Sequence, residues 1–234
     1  EEAPGGLRFR ARRREILPGI VQQAALAIQD DRLQKEMVLR ERLETEVQLA
    51  RQIQQTFIPE TLPSHPAWDI DARWRTARQV GGDFYDVFEL GDNKLGVLIG
   101  DVADKGVPSA IFMARAHALI MAEADSHIDP GNVLRMVNTH ITKLEKSTQF
   151  VTALYGVLDV STGEFSYARA GHEPPLLLTT DGNVQRLPYK PGMALGLWED
   201  IELDEYSLTL PKDSLLVLFT DGMTDCRNPK GEPF

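Results

Sequence analysis

The 234-residue sequence contains one cysteine, Cys226, so no internal disulfide can form and a disulfide scaffold is excluded. No run approaches the roughly 18 to 20 consecutive apolar residues that span a bilayer. The first residues, EEAPGGLRFR, lack the basic-then-apolar order of a secretory signal. The expectation is a cytoplasmic protein in a reducing compartment, with no membrane segment. Positive charge is also in deficit, with 25 Lys and Arg against 35 Asp and Glu. The imbalance falls after residue 60, where 15 basic residues face 25 acidic ones. An acidic body repels phosphate backbones, which argues against a nucleic-acid partner, and clustered carboxylates suit a bound cation. With 42% hydrophobic and 26% charged residues the chain is globular in composition. At about 150 residues per domain it holds one domain and a substantial extra piece.

Proline and glycine are absent from residues 30–57, where Leu33, Met37, Leu43, Val47, Ala50, Ile53 and Phe57 recur at steps close to three or four, save the gap from Met37 to Leu43. This is the pattern of one long amphipathic helix. Arg40 interrupts the stripe, and Glu, Arg and Gln flank it, which suits a two-stranded parallel coiled coil and hence a homodimer through residues 30–57. A helix lying on its own domain remains the alternative. Pro59, Pro63 and Pro66 end the helix. Upstream, residues 7–14 alternate arginine with apolar or small residues, and a solvated basic edge is the simplest account of them.

Beyond Trp68 the pattern becomes short β runs: residues 68–76, 84–90, 95–102, 151–160, 164–170, 176–179, 206–210 and 214–220, most of them joined by hairpin turns. Two helical stretches, 108–125 and 132–146, are inserted. Antiparallel hairpins flanking a helix pair predict an α+β fold with sheets packed on each other and helices outside.

The segment VGGDFYDVFELGDNKLGVLIGDVADKG, residues 80–106, is the most informative. A turn centred on Asp92 and Asn93 makes facing residues sum to about 185, which sets Asp83 opposite Val102 and beside Asp101. Two adjacent carboxylates repel unless a cation sits between them, and hard oxygen donors suit Mg²⁺ or Mn²⁺. Gly81, Gly82 and Gly100 leave room for close backbone approach. Residues 214–219 read as an apolar strand buried on both faces that runs into Thr220-Asp221-Gly222, where a rigid element would set a third carboxylate. An ordinary Asp-Gly turn is the plain alternative there.

Four motifs in order, VGGDFYD, GDVADKGVPSA, AGHEPPLLL and FTDGMTDCRNPKGEPF, resemble the bacterial PPM-type (PP2C-like) serine/threonine phosphatases of the RsbU and SpoIIE kind, over roughly residues 46–234. The resemblance implies an αββα sandwich holding two Mn²⁺ or Mg²⁺ ions. Asp83, Asp101 and Asp221 would be carboxylate ligands and the backbone carbonyl of Val102 would contribute. It further implies hydrolysis of phosphoserine or phosphothreonine by a water shared between the ions, with a STAS-type anti-anti-sigma protein as substrate. That family's last aspartate pair lies past the NPKGEPF stretch, so the chain as given is expected to bind the second ion poorly, and the domain over 59–234 is expected to be incomplete. Ala103-Asp104 stands where Ser-Gly is common. The segment GGLRFRARRREILPGIVQQAALAIQDDRLQ resembles, more loosely, the last strand and closing helix of a GAF sensor domain. Residues 1–29 would then be a sensor tail and 30–58 a linker that transmits dimerisation or rotation.

Cys226 is followed by Arg-Asn-Pro, without the glycines of a phosphate-cradling thiol loop, and reads as structural. His172 admits a general-acid reading, but its Gly and Pro neighbours suit a tight turn. His117 and His140 read as helix-surface or core residues. Two other functions compete with the phosphatase. One is a non-catalytic scaffold on the same fold; the other is a GGDEF-type cyclase, which Phe84 opposes by occupying the position of the second acidic residue.

Overall fold

A computed structural model describes residues 4–76, 80–104, 106–126, 129–144, 149–228 and 231–232. Internal contacts divide the chain into two units, residues 1–48 and 49–234. Helix α1 (Pro4–Gln55) supplies the first and ends in the second.

In the first unit the helix continues upstream through residues 7–14, where the GAF likeness implies a strand. Arginine and leucine propagate a helix readily, whereas a strand needs a neighbour to pair with, and none pairs here among the described residues. Leu33, Met37 and Leu43 of the apolar stripe are 51%, 69% and 52% exposed. Ion pairs one turn apart, Lys35 with Asp31, Arg40 with Glu44 and Arg42 with Glu46, line the polar flanks. Each such pair adds only about 0.3 to 0.5 kcal/mol. Among the described residues no helix is long and apolar enough to cross a membrane.

The second unit is built on a five-stranded antiparallel sheet. Strands β1 (Phe84–Gly91), β2 (Lys94–Val102), β3 (Val151–Asp159), β4 (Glu164–Ala170) and β7 (Asp204–Thr209) lie in that order. Between β2 and β3 come α2 (Val107–Ala124) and α3 (Pro130–Leu144). Strands β5 (Leu176–Leu178), β6 (Val184–Arg186) and β8 (Leu215–Val217) make a second sheet ordered β6-β5-β8. Alternation along the strands sorts side chains to two faces. Phe84, Leu98, Val102, Ala153 and Tyr155 pack with Met113, Ile120, Leu134 and Val137 of the helices. Leu95, Leu154, Leu158, Phe165 and Tyr167 turn the other way, toward Leu177 and Leu216 of the second sheet. The fold is therefore α+β, with antiparallel sheets face to face and flanking helices.

Three local expectations fail. Residues 68–76 form no strand; they run along the sheet, pinned by the Trp68 indole donating to the Val160 carbonyl (2.9 Å) and the Trp74 indole donating to the Asp83 carbonyl (3.0 Å). Residues 206–210 and 214–220 are not a hairpin, because β7 pairs with β4 and β8 with β5, so the turn at Pro211-Lys212-Asp213 carries the chain from one sheet to the other. Nor is β8 buried on both faces, since Leu215 is 54% exposed on an outer face left uncovered among the described residues.

Strands β4 and β7 of the five-stranded sheet are tied together by a charge pair that the sequence did not announce. Arg169, 4% exposed, donates from Nε (2.9 Å) and Nη2 (2.7 Å) to Oδ2 of Asp204, itself 2% exposed. The same guanidinium donates to the carbonyls of His172 and Lys190, and the Lys190 amide donates to Asp204. Removing one partner of a buried pair strands the other's charge in low dielectric. Asp204→Ala is therefore expected to lower unfolding free energy by about 3 to 5 kcal/mol in a urea titration, while Glu44→Ala on α1 moves it by less than about 0.5 kcal/mol.

Candidate functional site

The β1–β2 hairpin turns through Asp92 and Asn93, both at positive φ (47° and 59°), as its tight turn requires. Pairing starts as Gly91 against Lys94, then shifts by one residue at Leu90 and continues as Glu89 against Leu95 to Phe84 against Gly100. The Val102 amide donating to the Gly82 carbonyl (3.3 Å) carries this register to the strand ends. The irregularity corrects the sequence-derived sum by one, so Asp83 faces Asp101 itself rather than Val102. Both aspartates lie on the face turned toward the second sheet, in line with Thr152, which pairs with Asp101 on β3.

Glycine is a steric requirement at one position of this hairpin. A Cβ on Gly82 would lie 2.4 Å from the Val102 carbonyl oxygen, 2.8 Å from Oδ1 of Asp101 and 2.9 Å from Oγ of Ser109. Any side chain there would push apart the strands that bring the two carboxylates together. Gly81 is held from α1, inside the same unit. The Gln54 side chain, 1% exposed, donates to the Gly81 carbonyl (2.6 Å) and accepts from its amide (3.3 Å). From α2, His117 meets Asp86 of β1 through Nε2 and Oδ2 at 2.7 Å, with Phe57 and Phe84 edge-on to its ring.

The third segment arrives from the other sheet. Phe219 is 7% exposed, and Thr220 leads into the four-residue helix α4 (Asp221–Thr224). A cavity of about 670 Å³ is lined by Asp83, Asp101, Val102 and Asp221, together with Asp104, Thr152, His172, Glu173 and Asp225. The four residues predicted for the site thus border one space. A Cβ on Gly222 would be 3.8 Å from Oδ2 of Asp83, which measures how near the α4 turn comes to the hairpin. Among the described residues the lining has six acidic side chains and no Lys or Arg. A wall this rich in carboxylates is the donor chemistry of a hard divalent cation. The grouping is looser than a finished ion cage, for among the described residues no three His, Cys, Asp or Glu side chains are gathered to hold an ion.

His172 occupies the cavity wall rather than merely a turn. It is 3% exposed, and Nδ1 lies 3.0 Å from Oγ1 of Thr152. Burial pushes its pKa down to about 4, with the Arg169 charge acting in the same direction and the Phe219 carbonyl against it. His140, by contrast, pairs with Glu123 (2.8 Å) between α2 and α3, away from this lining. Cys226 borders the cavity and is exposed, with Sγ directed at the Gly222 carbonyl (3.1 Å). The sequence reading missed Gln54, Thr152, Glu173 and Asp225. Thr152 was recoverable from strand register alone, because it falls beside Asp101 once β2 and β3 are paired.

The Stage II sporulation protein E (SpoIIE) family matches residues 91–234, more than half of the sequence. The chain belongs to the SpoIIE family. Among curated relatives, Protein IcfG of Synechocystis sp. is 36% identical over 217 residues, covering 81% of this chain and 34% of that protein. Phosphoserine phosphatase RsbU of Bacillus subtilis is 29% identical, covering 82% of this chain and 57% of its own length. The chain therefore spans about a third and somewhat over half of these two relatives. The RsbU and RsbW domains of Rv1364c from Mycobacterium tuberculosis superpose with a TM-score of 0.58 at 27% identity, over 68% of this chain and 43% of that one. The SiaA-PP2C domain of Pseudomonas aeruginosa shares the fold, with a TM-score of 0.69 at 19% identity over 83% of this chain and 78% of its own. SpoIIE-family membership accords with the order of motifs along the sequence, and the PP2C-like fold with the two facing sheets.

His172 gives the site a pH signature. Its native pKa of about 4 lies below the ordinary 6.5, so between those values the unfolded chain binds the extra proton. This contribution is complete above pH 6.5 and is lost as the pH falls toward 4. Unfolding free energies measured across that window are expected to show about 3 kcal/mol of acid destabilisation that His172→Asn lacks.

Proposed function

We propose that this chain is the catalytic part of a metal-dependent protein serine/threonine phosphatase that hydrolyses phosphoserine or phosphothreonine on a partner protein. The observation that carries the reading is the convergence of Asp83, Asp101, the Val102 segment and Asp221 on one acidic cavity between the sheets. The names of RsbU and RsbP, both phosphoserine phosphatases, support the same chemistry.

Asp83, Asp101 and Asp221 would hold Mn²⁺ or Mg²⁺, with the Val102 carbonyl contributing. Two such ions, when bound, supply an acidified water and neutralise the charge of a phosphate. The residues of the chain do the rest. The β1–β2 pairing orients two carboxylates toward one point, and Gly82 lets the strands approach closely enough for both to reach it. The acidic wall would repel a bare phosphate dianion, so the substrate phosphate is admitted only with cation charge in place. No nucleophilic side chain is required, which leaves Cys226 without a chemical role.

Substrate and regulation follow from the same reading. A phosphorylated STAS-type protein is the proposed substrate, and a structure that joins RsbU and RsbW domains in one relative supports a partner-switching context. Residues 1–29 are proposed as the tail of an upstream sensor and 30–58 as the linker, with residues 30–57 pairing with a second copy. The exposed Leu33, Met37 and Leu43 support that pairing, since water contact with such a stripe is costly. The Gln54–Gly81 and His117–Asp86 contacts offer a route from α1 and α2 to the hairpin that carries Asp83. A second reading, a non-catalytic scaffold, draws on the loose grouping of the carboxylates.

Hydrolysis of p-nitrophenyl phosphate by the full-length protein is expected to require Mn²⁺ and to fall by at least about a hundredfold in Asp83→Asn; no metal-dependent turnover leaves the scaffold reading in place. Light scattering across a concentration series is expected to report a dimer that Leu43→Glu converts to monomer, and a strict monomer with residues 30–57 intact refutes the pairing.

A further inference from the structure

Three segments meet at His172, and the phosphatase reading leaves this residue without a task. The first is β3. Thr152 pairs with Asp101 across the β2–β3 ladder, and its hydroxyl oxygen lies 3.0 Å from Nδ1 of His172 and 3.4 Å from the Asp101 carbonyl oxygen. A threonine has one hydroxyl proton: given to the Asp101 carbonyl it leaves Oγ1 to accept from Nδ1–H, and given to the ring it leaves the imidazole proton on Nε2. The second segment is the exit of β8. Strand β5 pairs antiparallel with β8 as Leu176 against Val217. Carried past the last pair, that register sets residue 174 across from Phe219 and residue 172 across from Asp221. The Phe219 carbonyl is the backbone group that acts on the ring, and Nε2 has no well-formed hydrogen bond of its own. The third is the turn that bears His172. Gly171, at φ 68°, bridges to Ala153 of β3, and Arg169 donates to the His172 carbonyl.

We propose that His172 is a positioning residue: by joining Thr152, opposite Asp101, to the β8 exit that leads into Asp221, it holds the carboxylates of two separate sheets on one cavity. The ring touches no reacting atom. The ring lies between Thr152 of β3 and the Phe219 carbonyl at the β8 exit, segments that belong to different sheets and share no strand pairing. A neutral imidazole suits the task, since it offers one donor and one acceptor in fixed opposite directions. The consequence for metal binding rests on the phosphatase reading above; the mechanical link does not.

The test compares the full-length protein with His172→Leu, His172→Asn and Thr152→Val. Asparagine keeps a polar atom near the Nδ1 position, and valine keeps the shape of threonine. In metal-free hydrogen exchange, amides at 101–102 and 219–222 are expected to exchange faster in His172→Leu and Thr152→Val, with α2 and α3 unchanged, whereas His172→Asn, which keeps an atom near Nδ1 and loses Nε2, is expected to speed exchange at 219–222 alone. Calorimetric Mn²⁺ affinity is expected to weaken about tenfold or more in the leucine and valine variants and by less than that in the asparagine variant. Unchanged exchange at 219–222, or faster exchange spread evenly through the helices, overturns the inference. If His172→Leu does not fold, Thr152→Val decides on the same criterion. A parent that binds no Mn²⁺ but shows the expected exchange pattern refutes the metal reading and supports the link, whereas Mn²⁺ binding equal in all four proteins refutes the positioning role alone.

Discussion

The antiparallel pairing of β1 with β2 is the constraint on which the rest depends. Its register determines that two like-charged side chains, Asp83 and Asp101, stand face to face on the inner side of the sheet. Coulomb repulsion opposes that arrangement in any medium, and more strongly as water is excluded. The chain nevertheless commits to it with the glycine contact at Gly82, where no side chain fits, and with the aromatic ring of Phe84 lying over Gly100. Stability lost at such a place is recovered elsewhere, here in the apolar layers on both sides of β2 and β3.

The two sheets divide the labour. Hairpin pairing positions Asp83 and Asp101 relative to each other, since each backbone contact is local. Asp221 comes from a strand in the other sheet, so its distance from the hairpin depends on how the sheets pack. Beside that seam the His172–Thr152 contact ties the turn after β4 to β3, while the Arg169–Asp204 pair and the Lys190 amide bonded to Asp204 hold β4, β7 and the loop before β7 together. Apolar packing alone is non-directional and tolerates sliding, whereas buried hydrogen bonds fix a register between layers.

Much of the fold was legible from local chemistry. The breaker at Asp129-Pro130-Gly131 announced α3, the Asp92-Asn93 turn announced the hairpin, and the β run over residues 151–160 ahead of Ser161-Thr162-Gly163 announced β3. Errors fell where the deciding interaction was remote. Residues 68–76 have strand-like composition, but indole hydrogen bonds fixed them rather than a ladder partner. Residues 206–220 have the look of a hairpin because a proline turn separates two β runs, yet each run found a better partner in a different sheet. A single-residue irregularity at Leu90 shifted the facing pairs near Asp83, and nothing in the residue types marks it.

The sequence by itself determined which chemistry was available: an acidic segment rich in aspartate next to glycine, a long helix free of breakers, and one cysteine with no cradle around it. It also determined the candidate carboxylates, because Asp-Gly neighbours at strand ends are a local signal. Only the tertiary structure decided that Asp221 shares a cavity with Asp83 and Asp101, that His172 lies in its wall and that Gln54 grips Gly81. Those are contacts between residues far apart along the chain. They arise from the packing of sheet on sheet and helix on hairpin, and no periodicity within a single segment encodes the distance between two layers.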